Sequence, residues 1–123
     1  MSAMPESNIK FPEIDRLVHE PARLAILTVL ASCRSADFLF LQNATGLSKG
    51  NLSVQLTKLQ QAGLIGIEKE IAEKKTRTTV RLLVEGAHDL EDYWKKMEEL
   101  RKLGSTRSRY RARGVSLAAR PVS

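Results

Sequence analysis

Gly46-Leu47-Ser48-Lys49-Gly50-Asn51-Leu52-Ser53-Val54-Gln55-Leu56-Thr57-Lys58-Leu59-Gln60-Gln61-Ala62-Gly63-Leu64-Ile65 is the stretch from which the rest of the chain is read. Gly46 and Gly63 bracket it, and each suits the left-handed position that closes a helix. Between them Ser48 can cap the free amides of a first turn. Leu52, Leu56 and Leu59 fall at i, i+4 and i+7, which predicts an amphipathic helix from Ser48 to Ala62 with one buried stripe. Helical spacing then places Lys49, Asn51, Ser53, Gln55, Lys58 and Gln60 on the outward side or its margins, and that surface carries no acid.

Working upstream, Leu39 to Thr45 reads as a compact helix ended by Gly46, after a polar break over 32–37 and a short extended segment at Asp37-Phe38. Pro21 opens a more apolar helix, whose Leu24, Ile26, Leu27, Val29 and Leu30 cover most of its circumference and so belong in the core. Before it, Phe11, Ile14, Leu17 and Val18 recur at steps of three and four, which predicts a short first helix with Pro12 in its first turn. His19-Glu20-Pro21 breaks it. Residues 1–9 are polar and read as a loose N-terminus.

Downstream the period changes. Ile65, Ile67, Lys69 and Ile71 alternate with Gly66, Glu68, Glu70 and Ala72, a strand with one largely apolar face. A second β-rich run, Thr76 to Val84, follows Glu73, Lys74 and Lys75, so residues 65–83 form a hairpin with a charged tip. No Asn-Gly pair marks the turn, which predicts a longer, flexible loop. Leu90, Tyr93, Trp94, Met97, Leu100 and Leu103 then repeat over a last helix, Ala87 to Leu103.

The 123 residues suit one domain, placed at 10–103. No apolar run approaches the roughly 18 residues of a membrane span, and MSAMPESNIKFPEID has neither an apolar signal core nor an Arg-rich amphipathic stretch, so no membrane partner and a cytoplasmic location are expected. The net charge is +6. Residues 104–123, read as a basic, disordered tail, hold Arg107, Arg109, Arg111, Arg113 and Arg120 with no acid. Twenty basic residues less those five leave fifteen against fourteen acids, so residues 1–103 carry only +1. A case for nucleic acid rests on local arrangement as much as on bulk charge.

The order helix, helix, tight turn, amphipathic helix, hairpin is that of a winged helix-turn-helix, a mainly α fold with a small β wing (α+β). The 46–65 stretch resembles the "GLS…NLS.HL..L..AGLI" signature of the small ArsR- and MarR-type winged-helix transcriptional regulators, and the similarity spans roughly residues 11–103. The resemblance implies that helix 48–62 is a recognition helix, the hairpin a wing, and the terminal helices a symmetric homodimer interface. Two departures stand out. The family's Leu-Thr ahead of the last helix, whose threonine caps it, is replaced by Leu82-Leu83-Val84-Glu85-Gly86. The Cys-x-Cys of the metal-sensing branch is replaced by Asp37-Phe38-Leu39-Phe40-Leu41-Gln42, so no metal response is implied.

The residue chemistry points the same way. Lys49, Asn51, Ser53 and Gln55 are expected in the major groove of double-stranded DNA, where amides pair with base edges, with Ser48 at the helix's amino end and Lys58 on backbone phosphate. On the wing, Lys74, Lys75 and Arg77 are the expected phosphate or minor-groove contacts, opposed locally by Glu68, Glu70 and Glu73; Arg81 is a further candidate. A solvated hairpin of mixed charge is the plain alternative. The tail arginines around Tyr110 can track phosphate of any sequence or simply solubilise the chain. Phe11, Ile14, Leu90, Tyr93, Trp94, Met97 and Leu100 are the expected homodimer interface, placing two recognition helices roughly 34 Å apart on a palindromic operator as in a repressor. Burial within one chain is the alternative for that surface. For the whole molecule, the alternative is a winged-helix module that binds a protein or RNA without reading duplex sequence.

Cys33 is the only cysteine, which excludes an internal disulfide; it reads as a semi-buried structural thiol rather than an oxidant sensor. His19 and His88 are isolated and read as surface or boundary residues. Pairs such as Glu91 with Lys95 and Glu98 with Lys102 account for the acids of the last helix. With no Gly-rich phosphate loop and no nucleophile–base set, neither an enzyme nor a cofactor nor a bound metal is expected. No pocket residues identify a small-molecule effector.

Overall fold

The computed structural model describes residues 10–105. Pro21 occupies the first turn of α1 (Pro21–Cys33), and the Glu20 carboxylate accepts the Arg23 amide at 2.9 Å, so an acidic cap and a ring with no N–H to lose open this helix. Arg34, at φ 71, reverses the chain into β1 (Ser35–Asp37). Asp37 then caps α2 (Phe38–Thr45) by accepting the Phe40 amide at 2.7 Å, and Gly46 closes it at φ 74, a conformation an L side chain resists. Ser48 Oγ accepts the Asn51 amide at 3.1 Å and starts α3 (Lys49–Gln61). The hairpin strands are β2 (Ile65–Ala72) and β3 (Lys75–Leu82), and α4 (Val84–Ser105) ends the described chain.

β3 lies between β1 and β2 in an antiparallel sheet, with Val80 opposite Ala36 on one side and Ile67 on the other. Val80 thus has no exposure, and it meets a core built from Val18, Ile26, Leu27, Leu30, Leu41, Leu52, Leu56, Leu59, Leu64, Ile65, Leu90 and Tyr93. All three stripe leucines of α3 are buried there, which fixes that helix's rotation. The architecture is the winged helix expected from the sequence.

Local readings fail in four places. Residues 11–18 form no helix: the Asp15 side chain takes the Leu17 amide at 2.9 Å, and a single turn closes from His19 N–H to the Asp15 carbonyl at 2.8 Å. The Asp15 side chain thus offers the backbone a local partner in place of a helical one. The apolar spacing instead lets an irregular segment anchor Val18, fully buried, while Phe11 stays 66% exposed.

The hairpin turn is tight. Ala72 pairs with Lys75, leaving only Glu73 (φ 53) and Lys74 (φ 66), both left-handed, as a two-residue type I′ turn requires. Continuous pairing to the tip imposes it in place of the expected longer loop. The wing also outruns the core, so Ile71, read as part of an apolar face, is exposed.

The last helix starts at Val84, three residues earlier than the periodicity gives, and no hydroxyl caps it. Leu83 donates its amide to the Leu64 carbonyl at 3.0 Å, and Gly86 lies against that same carbonyl so closely that a Cβ would sit 2.2 Å from its oxygen. Finally, Cys33 is exposed, with its thiol 3.2 Å from the Val29 carbonyl.

Candidate nucleic-acid interface

Turning about 100° per residue, α3 directs Leu52, Leu56 and Leu59 inward and leaves Gly50, Val54, Thr57 and Gln61 along its outer pole. All four are exposed. Asn51 and Lys58 lie on one flank; Lys49, Ser53 and Gln60 lie on the other and are likewise exposed. No acid occurs anywhere in the helix. The second flank faces the wing across an open groove of about 990 Å³, lined by Lys49, Ser53 and Thr57 on one side and Lys69, Lys75 and Arg77 on the other, with Asp37, Glu70 and Glu73 as the acids.

Of the expected groove contacts, Lys49, Asn51 and Ser53 stand at the exposed amino end of α3. Ser48 is exposed too, though its oxygen is engaged as the cap. Gln55 is a correction. It is 8% exposed, on the margin of the leucine stripe that faces α1, and does not reach outward. Arg23 explains this. Its Nη1 donates to Gln55 Oε1 at 2.8 Å and its Nε to the Leu17 carbonyl at 2.6 Å, while Gln55 Nε2 donates onward to Asn51 Oδ1 at 2.9 Å. Arg23 is the only charged residue in α1, in a mostly apolar helix, and that was the available signal for a buried polar partner. Val54, 51% exposed on the outer pole, was also missed; an apolar residue flanked by polar ones gives no periodic signal of its own.

On the wing, Lys74, Lys75 and Arg77 are exposed, with Arg77 opposite Glu70 in the ladder. Arg81 is tied to Glu68 at 3.0 Å. The tail arginines 107, 109, 111, 113 and 120 lie outside the described residues.

The expected dimer surface divides. Leu90 and Tyr93 are 5% and 3% exposed within the single chain, so both are already used by its own core. The Tyr93 hydroxyl shares a 2.8 Å hydrogen bond with His19 Nδ1, an exposed ring at the edge of this cluster. Ile14 and Met97 are half-buried against the core, whereas Phe11, Trp94 and Leu100 remain exposed. No α4 residue beyond Tyr93 is fully buried: Trp94 sets its ring edge-on to Tyr93 at 5.0 Å with its outer side exposed, and Leu100 is exposed beyond half-buried Met97. The helix's own ion pairs run Asp92–Lys96 at 3.2 Å and Glu98–Arg101 at 2.6 Å, the latter holding the Glu98 carboxyl below its ordinary range.

Among the described residues, no group of three His, Cys, Asp or Glu side chains is placed to hold a metal, and no helix is long and apolar enough to cross a membrane. Exposed recognition-type helix, tight turn before it and basic hairpin beside it define a DNA-binding winged helix. Residues 22–101 match the model of the winged helix DNA-binding domain family, more than half of the chain, and the chain belongs to that family. An uncharacterized protein of Methanocaldococcus jannaschii is 23% identical over 87 residues, covering 71% of this chain and 95% of its own length. Among solved structures, a transcriptional regulator homologue from Pyrococcus horikoshii superposes with a TM-score of 0.70 at 25% identity, covering 74% of this chain and 90% of that one. A MarR-family regulator from Silicibacter pomeroyi shares the fold at a TM-score of 0.55 and 18% identity, over 81% and 78% of the two chains. Family and fold together make this chain a winged-helix DNA-binding domain.

Proposed function

We propose that this chain is a homodimeric repressor that reads a palindromic operator, with α3 in the major groove and the β2–β3 wing on the flanking backbone. The observation that carries it is the acid-free outer surface of α3, standing exposed beside a wing that offers Lys69, Lys75 and Arg77 among Glu70 and Glu73. Lys49, Asn51, Ser53, Val54 and Thr57 meet the bases or the adjacent phosphates, and Lys58, Lys75 and Arg77 hold phosphates. Ser48 caps α3 and, with the first-turn amides, presents its positive end to phosphate.

Dimerisation rests on α4. Three helical turns extend beyond the last fully buried position and expose Trp94 and Leu100 on one stripe with half-buried Met97, and a second copy covers that surface. A bound dimer occludes a promoter by occupancy alone.

The test is a salt-series gel shift of the full chain on random duplex and on single-stranded RNA, followed by selection of preferred sites from a duplex library. Duplex binding that falls steeply with salt, and a selected motif with two-fold symmetry, are expected. Binding to RNA with no duplex binding at low salt would overturn the proposal. Lys49→Ala and Lys58→Ala should each lower the salt slope by about one.

A further inference from the structure

Arg23, Gln55 and Asn51 form a chain of hydrogen bonds whose direction is fixed at one end. A guanidinium has donors and no acceptor, so the Gln55 atom that Arg23 Nη1 meets at 2.8 Å must be the oxygen. The Gln55 nitrogen is thereby turned to Asn51, and the Asn51 atom it meets at 2.9 Å must in turn be the oxygen. Arg23 itself cannot swing away easily. Its side chain is 12% exposed and is held at a second nitrogen by the Leu17 carbonyl at 2.6 Å, with the Glu20 carboxylate 4.0 Å from Nη1. Asn51 is exposed at the third position of α3, and its amide nitrogen, on the opposite side of the amide from the oxygen that meets Gln55, has no partner among the described residues.

We infer that Arg23 and Gln55 are positioning residues that set the polarity of Asn51, so that the recognition helix offers N–H donors to the acceptor edge of a guanine, N7 and O6. This rests on the duplex-reading function proposed above. A free asparagine pairs best with adenine, because its oxygen accepts from N6 while its nitrogen donates to N7. Here the oxygen is turned back towards Gln55, and the adenine pairing loses its acceptor. The amino-terminal residues of a recognition helix are the ones that reach base edges, which puts Asn51 within range. Phosphate is the competing target for an outward donor; it carries no sequence information, so base preference separates the two.

Gln55→Glu reverses the chain with almost no change of shape. Both carboxylate oxygens accept, one from Arg23 and the other from Asn51, whose amide must then turn its nitrogen inward and its oxygen outward. Sites selected by the full-length wild-type chain should contain a guanine in each half-site that Gln55→Glu replaces with a donor-bearing base, adenine or cytosine, changing preference at that position by roughly tenfold. Asn51→Asp presents an outward acceptor without touching Arg23 and should shift the same position in the same direction, so the inference survives a Gln55→Glu variant that fails to fold.

Identical selected motifs for wild type and a folded variant would overturn the polarity assignment while leaving the duplex-reading function standing. An equal loss of affinity on every sequence would overturn it too, placing Asn51 on phosphate. Failure of the wild type to bind any duplex at low salt would remove both.

Discussion

Gly86→Ala separates packing from helix propensity. In an open helical position the change to alanine stabilises by up to about 1 kcal/mol, because glycine loses more backbone freedom on folding. At residue 86 the new Cβ would lie 2.2 Å from the Leu64 carbonyl oxygen and 2.7 Å from Leu82 Cδ1. The leucine methyl can turn aside. The carbonyl cannot, since it accepts the Leu83 amide at 3.0 Å and follows the close of α3. The start of α4 must therefore move away from the α3–β2 junction, an overpacking cost of about 1–3 kcal/mol that exceeds the propensity gain. Gly50→Ala is the matched control: its Cβ meets nothing within 4 Å. With a melting shift of about 4–8 °C per kcal/mol for a domain of this size, the two variants should differ in sign, Gly86→Ala melting several degrees below wild type and Gly50→Ala at or slightly above it. Thermal unfolding followed by circular dichroism reads both. A Gly86→Ala variant as stable as Gly50→Ala would show that the junction yields freely, and that the glycine is not what seats the terminal helix.

Three further outcomes follow from the same structure. Ser48→Ala removes the oxygen that accepts the Asn51 amide and should cost about 0.5–2 kcal/mol in urea unfolding, with faster amide exchange confined to the first turn of α3. Trp94→Ala combined with Leu100→Ala should convert the proposed dimer to a folded monomer in sedimentation velocity, with circular dichroism retaining the wild-type helix content and a melting temperature that no longer depends on protein concentration. Arg101 donates to Glu98 and depresses its carboxyl pKa from 4.5, so the pair's contribution is present above that ordinary value and is lost as pH falls through the lowered one. The Glu98 carboxyl resonance should accordingly titrate below 4.5, and Arg101→Gln should return it towards that value.

What the sequence made legible was local or periodic. The cap at Ser48, the left-handed Gly46 and Gly63, and the leucine stripe of α3 each act over a few residues, and each stands where the spacing put it. What it hid depends on partners distant in the chain. The apolar spacing of 11–18 is real and does bury Val18, but burial of single anchors needs no helix, and Asp15 closes a turn instead. The tight tip at Glu73-Lys74 follows from β2–β3 pairing carried to the last residue, which the tip's own composition conceals. Likewise Leu90 and Tyr93 belong to the same apolar stripe as Trp94 and Leu100; only the position of the core along α4 decides which half is spent inside the chain.

Gln55 shows why the reading face of such a helix is the hardest part to extract. A glutamine beside a leucine stripe is chemically suited both to a base edge and to a buried donor, and the choice was made by a residue 32 positions earlier. That choice then propagates: once Arg23 fixes the glutamine's oxygen, the glutamine fixes the asparagine's, and a residue that never leaves the body of the domain governs what an exposed one presents. Polar residues at the margin of an apolar stripe therefore need to be weighed together with any lone charge in the neighbouring helix. Here α1 contains one such charge in thirteen residues, and it points at the margin of α3.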